Sequence, residues 1–157
     1  MDEPKVLYIG QDKNEVTALN LVGLSITQAP TATEGLEKLV WEWDLFIIAE
    51  TLEPGDRLKP ILDKKYTGYP GILHDSRLKP AVYLLDRIRD STSLHRKTKV
   101  FCIIDRLEGA EDFRVRAKQR GVFDFYQHRH PEIPIQLGDE YFKMAGDAIK
   151  YLSENHD

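Results

Sequence analysis

The stretch "WDLFIIAETLEPGD", residues 43 to 56, decides how the chain is read. Leu45, Phe46, Ile47 and Ile48 form an apolar run without alternation. That is the pattern of a strand covered on both faces. Ala49 and Glu50 close the run, and Pro54-Gly55 mark a turn. Strands covered on both faces belong to parallel sheets, which need crossover connections between successive strands.

Outward from this strand the same rhythm continues. "KVLYIG" (5–10) and "KVFCIID" (99–105) read as buried strands, and "LSITQA" (24–29) and "VFDFYQH" (122–128) bring the set to five. Helical stretches lie between them. Residues 14–23 end at Gly23, and 33–43 place Leu36, Leu39, Val40 and Trp43 on one face, with Thr33 as N-cap. Val82, Leu85 and Ile88 share a face in 81–91, and 110–121 closes at Gly121 with Phe113 and Ala117 toward the core. Residues 139–154 form an amphipathic helix striped by Tyr141, Ala145, Ala148 and Leu152. The alternation predicts an α/β fold: a three-layer, doubly wound, five-stranded parallel sheet of the flavodoxin-like kind, residues 1–157 forming a single domain. In such sheets the working crevice lies beyond the carboxyl ends of the strands. Candidate residues are therefore Gly10, Gln11 and Asp12; Ala49 and Glu50; Ile104 and Asp105; His128 and Arg129.

Residues 51–80 interrupt the rhythm and hold four of the eight prolines. Tyr66 and Tyr69 offer contact area, and "KPILDKKY" suggests a short helix. Composition leaves disorder and an ordered binding loop both open; position favours a lid that starts beside the crevice and that, if it packs over Ala49, would cover the site.

The bulk numbers exclude several classes. The chain has 157 residues, 41% hydrophobic and 31% charged, with a net charge of −4. That balance suits a soluble globular domain and opposes a dedicated nucleic-acid binder, whose phosphate contacts need basic surface. No apolar run approaches the ~20 residues of a membrane span. The N-terminus enters a strand at once and does not read as a signal peptide, and Cys102 is the only cysteine. A cytoplasmic location is the expectation. No Gly-rich phosphate cradle, HExxH, GxSxG or CxxC is present, so an enzyme reading has no positive support and no cofactor is expected.

Three further stretches carry a family resemblance. "QAPTATEGLEKL", "YLLDRIRDSTSLHRKTKVFCII" and "AKQRGVFDFYQH" resemble, in order and spacing, the corresponding segments of receiver (response-regulator) domains of two-component signalling. The departures are a short first helix and about 20 extra residues before the third family helix. The resemblance implies an acidic pair binding Mg²⁺, a nucleophilic aspartate, a hydroxyl and a lysine at the strand ends. Here those positions hold Gly10 and Gln11, Ala49, Ile104 and His128. The family's switch aromatic is matched by Phe125. The resemblance therefore implies a degenerate pseudo-receiver, a protein-interaction module that works without phosphotransfer. Its implied partners are proteins, bound through the surface of the 110–121 helix, the fifth strand and the last helix. Candidates there are Arg116, Arg120, Phe125 and Tyr126, joined by Tyr66 and Tyr69 of the insert, and a homodimer is possible.

A different class of function stays open beside it. Asp12, Glu50, Asp105 and His128 lie near the crevice and could bind a metal or small ligand, or serve an enzyme. The bland reading is that they are solvated strand-end residues and helix caps. Side chains alternate along a strand, so Glu50 faces away from the Ala49 position unless a bulge intervenes. With a bulge, Glu50 could mimic a phosphorylated residue by its charge. His128 and His130 share a face in extended chain but lack a third ligand in sequence. Arg114, Arg116, Lys118 and Arg120 make either a solvated helix face or a dock for an acidic partner.

Overall fold

The computed structural model describes residues 3–21, 23–65, 78–90, 92–104, 110–127 and 140–155. Its elements follow one another as β1 (Val6–Ile9), α1 (Lys13–Leu21), β2 (Ile26–Ala29), α2 (Ala32–Lys38), β3 (Leu45–Ala49), α3 (Lys59–Lys65), α4 (Lys79–Arg89), β4 (Val100–Ile104), α5 (Ala110–Gln119), β5 (Asp124–Gln127) and α6 (Glu140–Asn155). The five strands form one sheet in the order β2-β1-β3-β4-β5, and every neighbouring pair is parallel. This is the doubly wound order whose crevice opens beyond the ends of β1 and β3.

The pleat sorts the apolar runs onto two faces. Leu7, Ile9, Phe46, Ile48, Val100 and Cys102 pack with residues of α2, α3, α4 and α5 in one cluster. Val6, Tyr8, Leu45, Ile47, Phe101, Ile103 and Tyr126 pack with residues of α1 and α6 in the other. Burial of each large apolar side chain contributes roughly 1.5–3 kcal/mol, which is why strands with no polar face are stable only between two helical layers. On α5, Phe113 and Ala117 turn to the core as the periodicity predicts.

Two details of α2 correct the sequence reading. Its N-cap is Thr31, whose Oγ1 accepts from the Glu34 amide, and not Thr33. Thr33 lies inside the first turn, where its hydroxyl donates to the Pro54 carbonyl at 2.7 Å. The amides of Ala32 and Thr33 donate to the carbonyls of Glu53 and Pro54 at 2.9 and 3.0 Å. Two orphan donors of the helix start are thus satisfied by a segment some 20 residues later. The helix also ends at Lys38, so Val40 leaves the apolar face and is 73% exposed. Leu36, Leu39 and Trp43 remain packed against the core. The stop is fixed by Trp43, whose indole Nε1 donates to the Lys38 carbonyl at 2.7 Å.

The described part of the insert is folded onto the domain. Leu52, Leu58 and Leu62 are each 2% exposed and join the α2–α5 cluster. Gly55 makes the turn at φ 81°, and a Cβ there would lie 2.5 Å from the Thr33 Oγ1. Only glycine meets both demands. The helix expected at "KPILDKKY" is α3.

At the opposite end of the molecule, Arg89 closes α4. Its Nε donates to the Arg120 carbonyl at 2.8 Å, and one Nη donates to the carbonyls of His95, Arg96 and Thr98. Burial pulls this guanidinium below its ordinary pKa, and four carbonyl dipoles compensate the enclosed charge. One side chain thereby ties the loop before β4 to the end of α5.

Candidate functional site

The strand-end crevice is built around Gly10 and Ala49. Val6, Tyr8 and Gly10 point to the α1–α6 face by the pleat, as do Ile47 and Ala49. A Cβ on Gly10 would lie 2.9 Å from the Tyr8 ring and 3.1 Å from the Ala49 Cβ. The ring therefore occupies the space into which any side chain at position 10 would project. Its hydroxyl donates to Glu15 Oε2 at 2.8 Å, and Tyr8 and Glu15 are 1% and 2% exposed. A buried phenol needs such a partner, and here the partner comes from the first turn of α1. The Gly10 backbone is held as well: its amide donates to Ala29, and its carbonyl accepts from Gln28 Nε2.

Glu50 lies elsewhere. The β3–β4 register runs without a break from Phe46↔Val100 to Ala49↔Ile103, and the Glu50 amide donates to the Ile103 carbonyl at 2.8 Å. No bulge intervenes, so Glu50 faces the α2–α5 layer, on the side of Cys102, and is fully buried. Burial raises the Cys102 thiol far above its ordinary pKa, and the Glu50 carboxylate adds to the rise. A thiol so held is not a nucleophile.

Asp12 is committed to the start of α1, where its Oδ1 accepts from the amides of Asn14 and Glu15 at 2.9 and 3.1 Å. Gln11 is exposed, and Ile104 is buried in register with Gln127. Asp105, His128, Arg129, His130, Tyr66 and Tyr69 lie outside the described residues. Among the described residues no group of three or more His, Cys, Asp or Glu could hold a metal ion.

The partner-surface candidates divide. Arg120 pairs with Asp86 of α4 through Nε, and its Nη1 donates to the Arg116 carbonyl at 2.7 Å. Arg116 itself stays half-exposed. Tyr126 is buried and donates to Asp147 Oδ2 of α6 at 2.7 Å, while Phe125 is half-buried against the other layer. Val115, Phe123 and Ile149, which the sequence reading did not single out, are 55%, 72% and 43% exposed on this side. Their signal was available: Val115 falls off the Phe113–Ala117 face of its helix.

No protein-family model matches the chain, and no curated protein matches it. Solved structures do match over its whole length. The signal receiver domain of an HD domain-containing protein from Pseudomonas fluorescens Pf-5 superposes with a TM-score of 0.62 at 15% identity, covering 99% of this chain and 98% of that one. A two-component response regulator from Clostridium difficile gives 0.62 at 18% identity, over 99% of this chain and all of the other. A response regulator from Hahella chejuensis gives 0.65 at 12%, over 99% of both. At these identities the likeness speaks for architecture alone, and the architecture is clear: the chain has the receiver fold, with an added helix after its third strand.

Proposed function

We propose that the chain is a phosphorylation-independent signalling module, a pseudo-receiver that binds protein partners. The observation that carries this reading is the packing of Tyr8 and Ala49 around Gly10 at the ends of β1 and β3. Phosphoryl transfer on a receiver frame needs carboxylates around a hard cation and a carboxylate nucleophile. Here the first position lacks room even for a Cβ, and the acceptor position is a buried alanine. Tyr8, anchored on Glu15, occupies the space between the ends of β1 and α1. The apolar side chains of Val115, Phe123 and Ile149 support protein binding near α5, β5 and α6, and the half-exposed Arg116 suits an acidic partner there. The alternative, a ligand site or enzyme centred on Asp12, Glu50, Asp105 and His128, has less support. Asp12 caps α1, and Glu50 faces a different layer from Ala49.

Incubation with acetyl phosphate or beryllofluoride and Mg²⁺, followed by intact mass and amide spectra, tests the proposal. No stable phosphoryl adduct is expected, and Ala49→Asp alone should remain silent because Tyr8 still fills the crevice. A mass gain at Glu50 or Asp105, or Mg²⁺-dependent shifts centred on Gly10, overturns it.

A further inference from the structure

The insert builds a cavity of its own. About 210 Å³ lies between the segment after β3, α3 and the start of α4. Leu52 and Leu62, both buried, and Pro54 give it apolar walls. Its charged walls are Glu53, Lys59 of α3 and Lys79 of α4, with Asp63 beside them. Among the described residues no ion pair involves Glu53, Lys59 or Lys79, whereas Asp63 is already engaged by another group. The backbone around the cavity is fixed. The Glu53 and Pro54 carbonyls accept from α2, the Lys59 amide donates to the Gly55 carbonyl at 3.2 Å, and the Leu62 amide donates to the Leu58 carbonyl at 2.9 Å. No side chain caps the start of α4, whose first residue is Lys79, so the positive end of that helix adds to the lysine charge. None of the lining residues belongs to the packing of Tyr8, Gly10 and Ala49.

We infer that this cavity binds a small zwitterion with an apolar side chain, an α-amino acid of the leucine or phenylalanine type. The volume lies below the ~300–1,000 Å³ of pockets that take drug-sized molecules, so the occupant is small. With two lysines and two carboxylates in its wall, the cavity suits neither a bare anion nor a bare cation. A ligand that carries both charges matches it. The ligand carboxylate belongs with Lys59, Lys79 and the start of α4, and its ammonium with Glu53. Leu52, Pro54 and Leu62 take the apolar side chain. The held backbone means that little ordering entropy is lost on binding. Because the Glu53 and Pro54 carbonyls also serve the Ala32 and Thr33 amides, occupancy is felt at the start of α2. The site does not depend on whether the chain accepts phosphate.

The test is titration of the isotope-labelled full chain with L-leucine and L-phenylalanine at fixed ionic strength. Saturable shifts are expected at the Leu52 and Leu62 methyls and at the Ala32 and Thr33 amides, with Val115 and Phe123 unmoved. Isocaproate, which lacks the ammonium, and isoamylamine, which lacks the carboxylate, should each bind about tenfold more weakly than L-leucine, as loss of one charge-assisted contact implies. Lys79→Gln and Glu53→Gln should each weaken L-leucine by a similar factor. Lys59→Gln provides a third variant, with circular dichroism confirming that each one folds. Absence of shifts at millimolar amino acid overturns the inference, as does unchanged affinity in the folded variants. Equal binding of either truncated analogue, or the same shifts with inorganic phosphate alone, assigns the cavity to a simple ion or an apolar guest and also overturns it.

Discussion

The two ends of the sheet are finished in opposite ways. At the strand exits, where open α/β sheets ordinarily keep a crevice, side chains point inward: Tyr8 onto Glu15, Ala49 against Gly10, and Ile104 into the core. At the strand entries the backbone is locked by Arg89, His95 and Trp43, yet the apolar side chains of Val40, Trp41 and Leu94 face outward. The lesson is that order and burial are separate properties. Among the described residues one end is closed by packed side chains, and the other by held carbonyls while its apolar side chains stay exposed.

The comparison breaks most severely if the entry end is unbraced. Arg89→Ala removes a cation that satisfies four carbonyls and should cost about 3 kcal/mol in urea unfolding, since hydrogen bonds to charged groups are worth ~1.5–3 kcal/mol each. A loss below ~0.5 kcal/mol would mean that the loops hold themselves. Next, Gly10→Asp drives a side chain into the Tyr8 ring and should destabilise by about 2 kcal/mol, as overpacking does. A neutral outcome would show that the crevice has room and that the exit end is not sealed. Tyr8→Phe keeps the ring and removes the bond to Glu15. It should cost ~1 kcal/mol, so comparing it with Gly10→Asp separates filling from hydrogen bonding.

The smallest effect concerns pH. The amide and hydroxyl of Thr92 donate to Asp90 Oδ1 at 2.9 and 2.7 Å, and these bonds hold the Asp90 carboxyl below its ordinary value. A lowered folded-state pKa gives stability that is present above the ordinary carboxylate range and is lost as pH falls through the lowered value. The Thr92 amide signal should therefore move only in acid below that range, and Asp90→Ala should abolish the movement. A midpoint at or above the ordinary aspartate value would remove this contact from the bracing of the entry end.

Most of the architecture was legible because strands buried on both faces announce themselves as uninterrupted apolar runs. Leu45 to Ile48 and Val100 to Ile104 are buried, as such runs imply. What escaped depended on partners distant in sequence. Thr33 read as the N-cap because the Glu53 and Pro54 carbonyls that serve α2 arrive from the insert. Arg120 read as part of a basic face because Asp86 lies 34 positions away. The crevice was half legible. The residue types at the strand ends could be read, but the packing of Tyr8 against Gly10 could not, although a tyrosine in a wholly buried strand already demanded a partner for its hydroxyl. The absence of a bulge after Ile48 was beyond the sequence, since register is decided between strands and not within one.

The carbonyls of Glu53 and Pro54 at the start of α2 have a consequence for anyone who edits this chain. Excising residues 51–80 to recover a minimal fold would strip two acceptors from α2 and take Leu52, Leu58 and Leu62 out of the core. The seam for a graft or a shortened loop therefore lies after Leu62, where the chain has finished serving its neighbour. Cut before Glu53, the protein would be expected to lose the start of α2 along with the insertion.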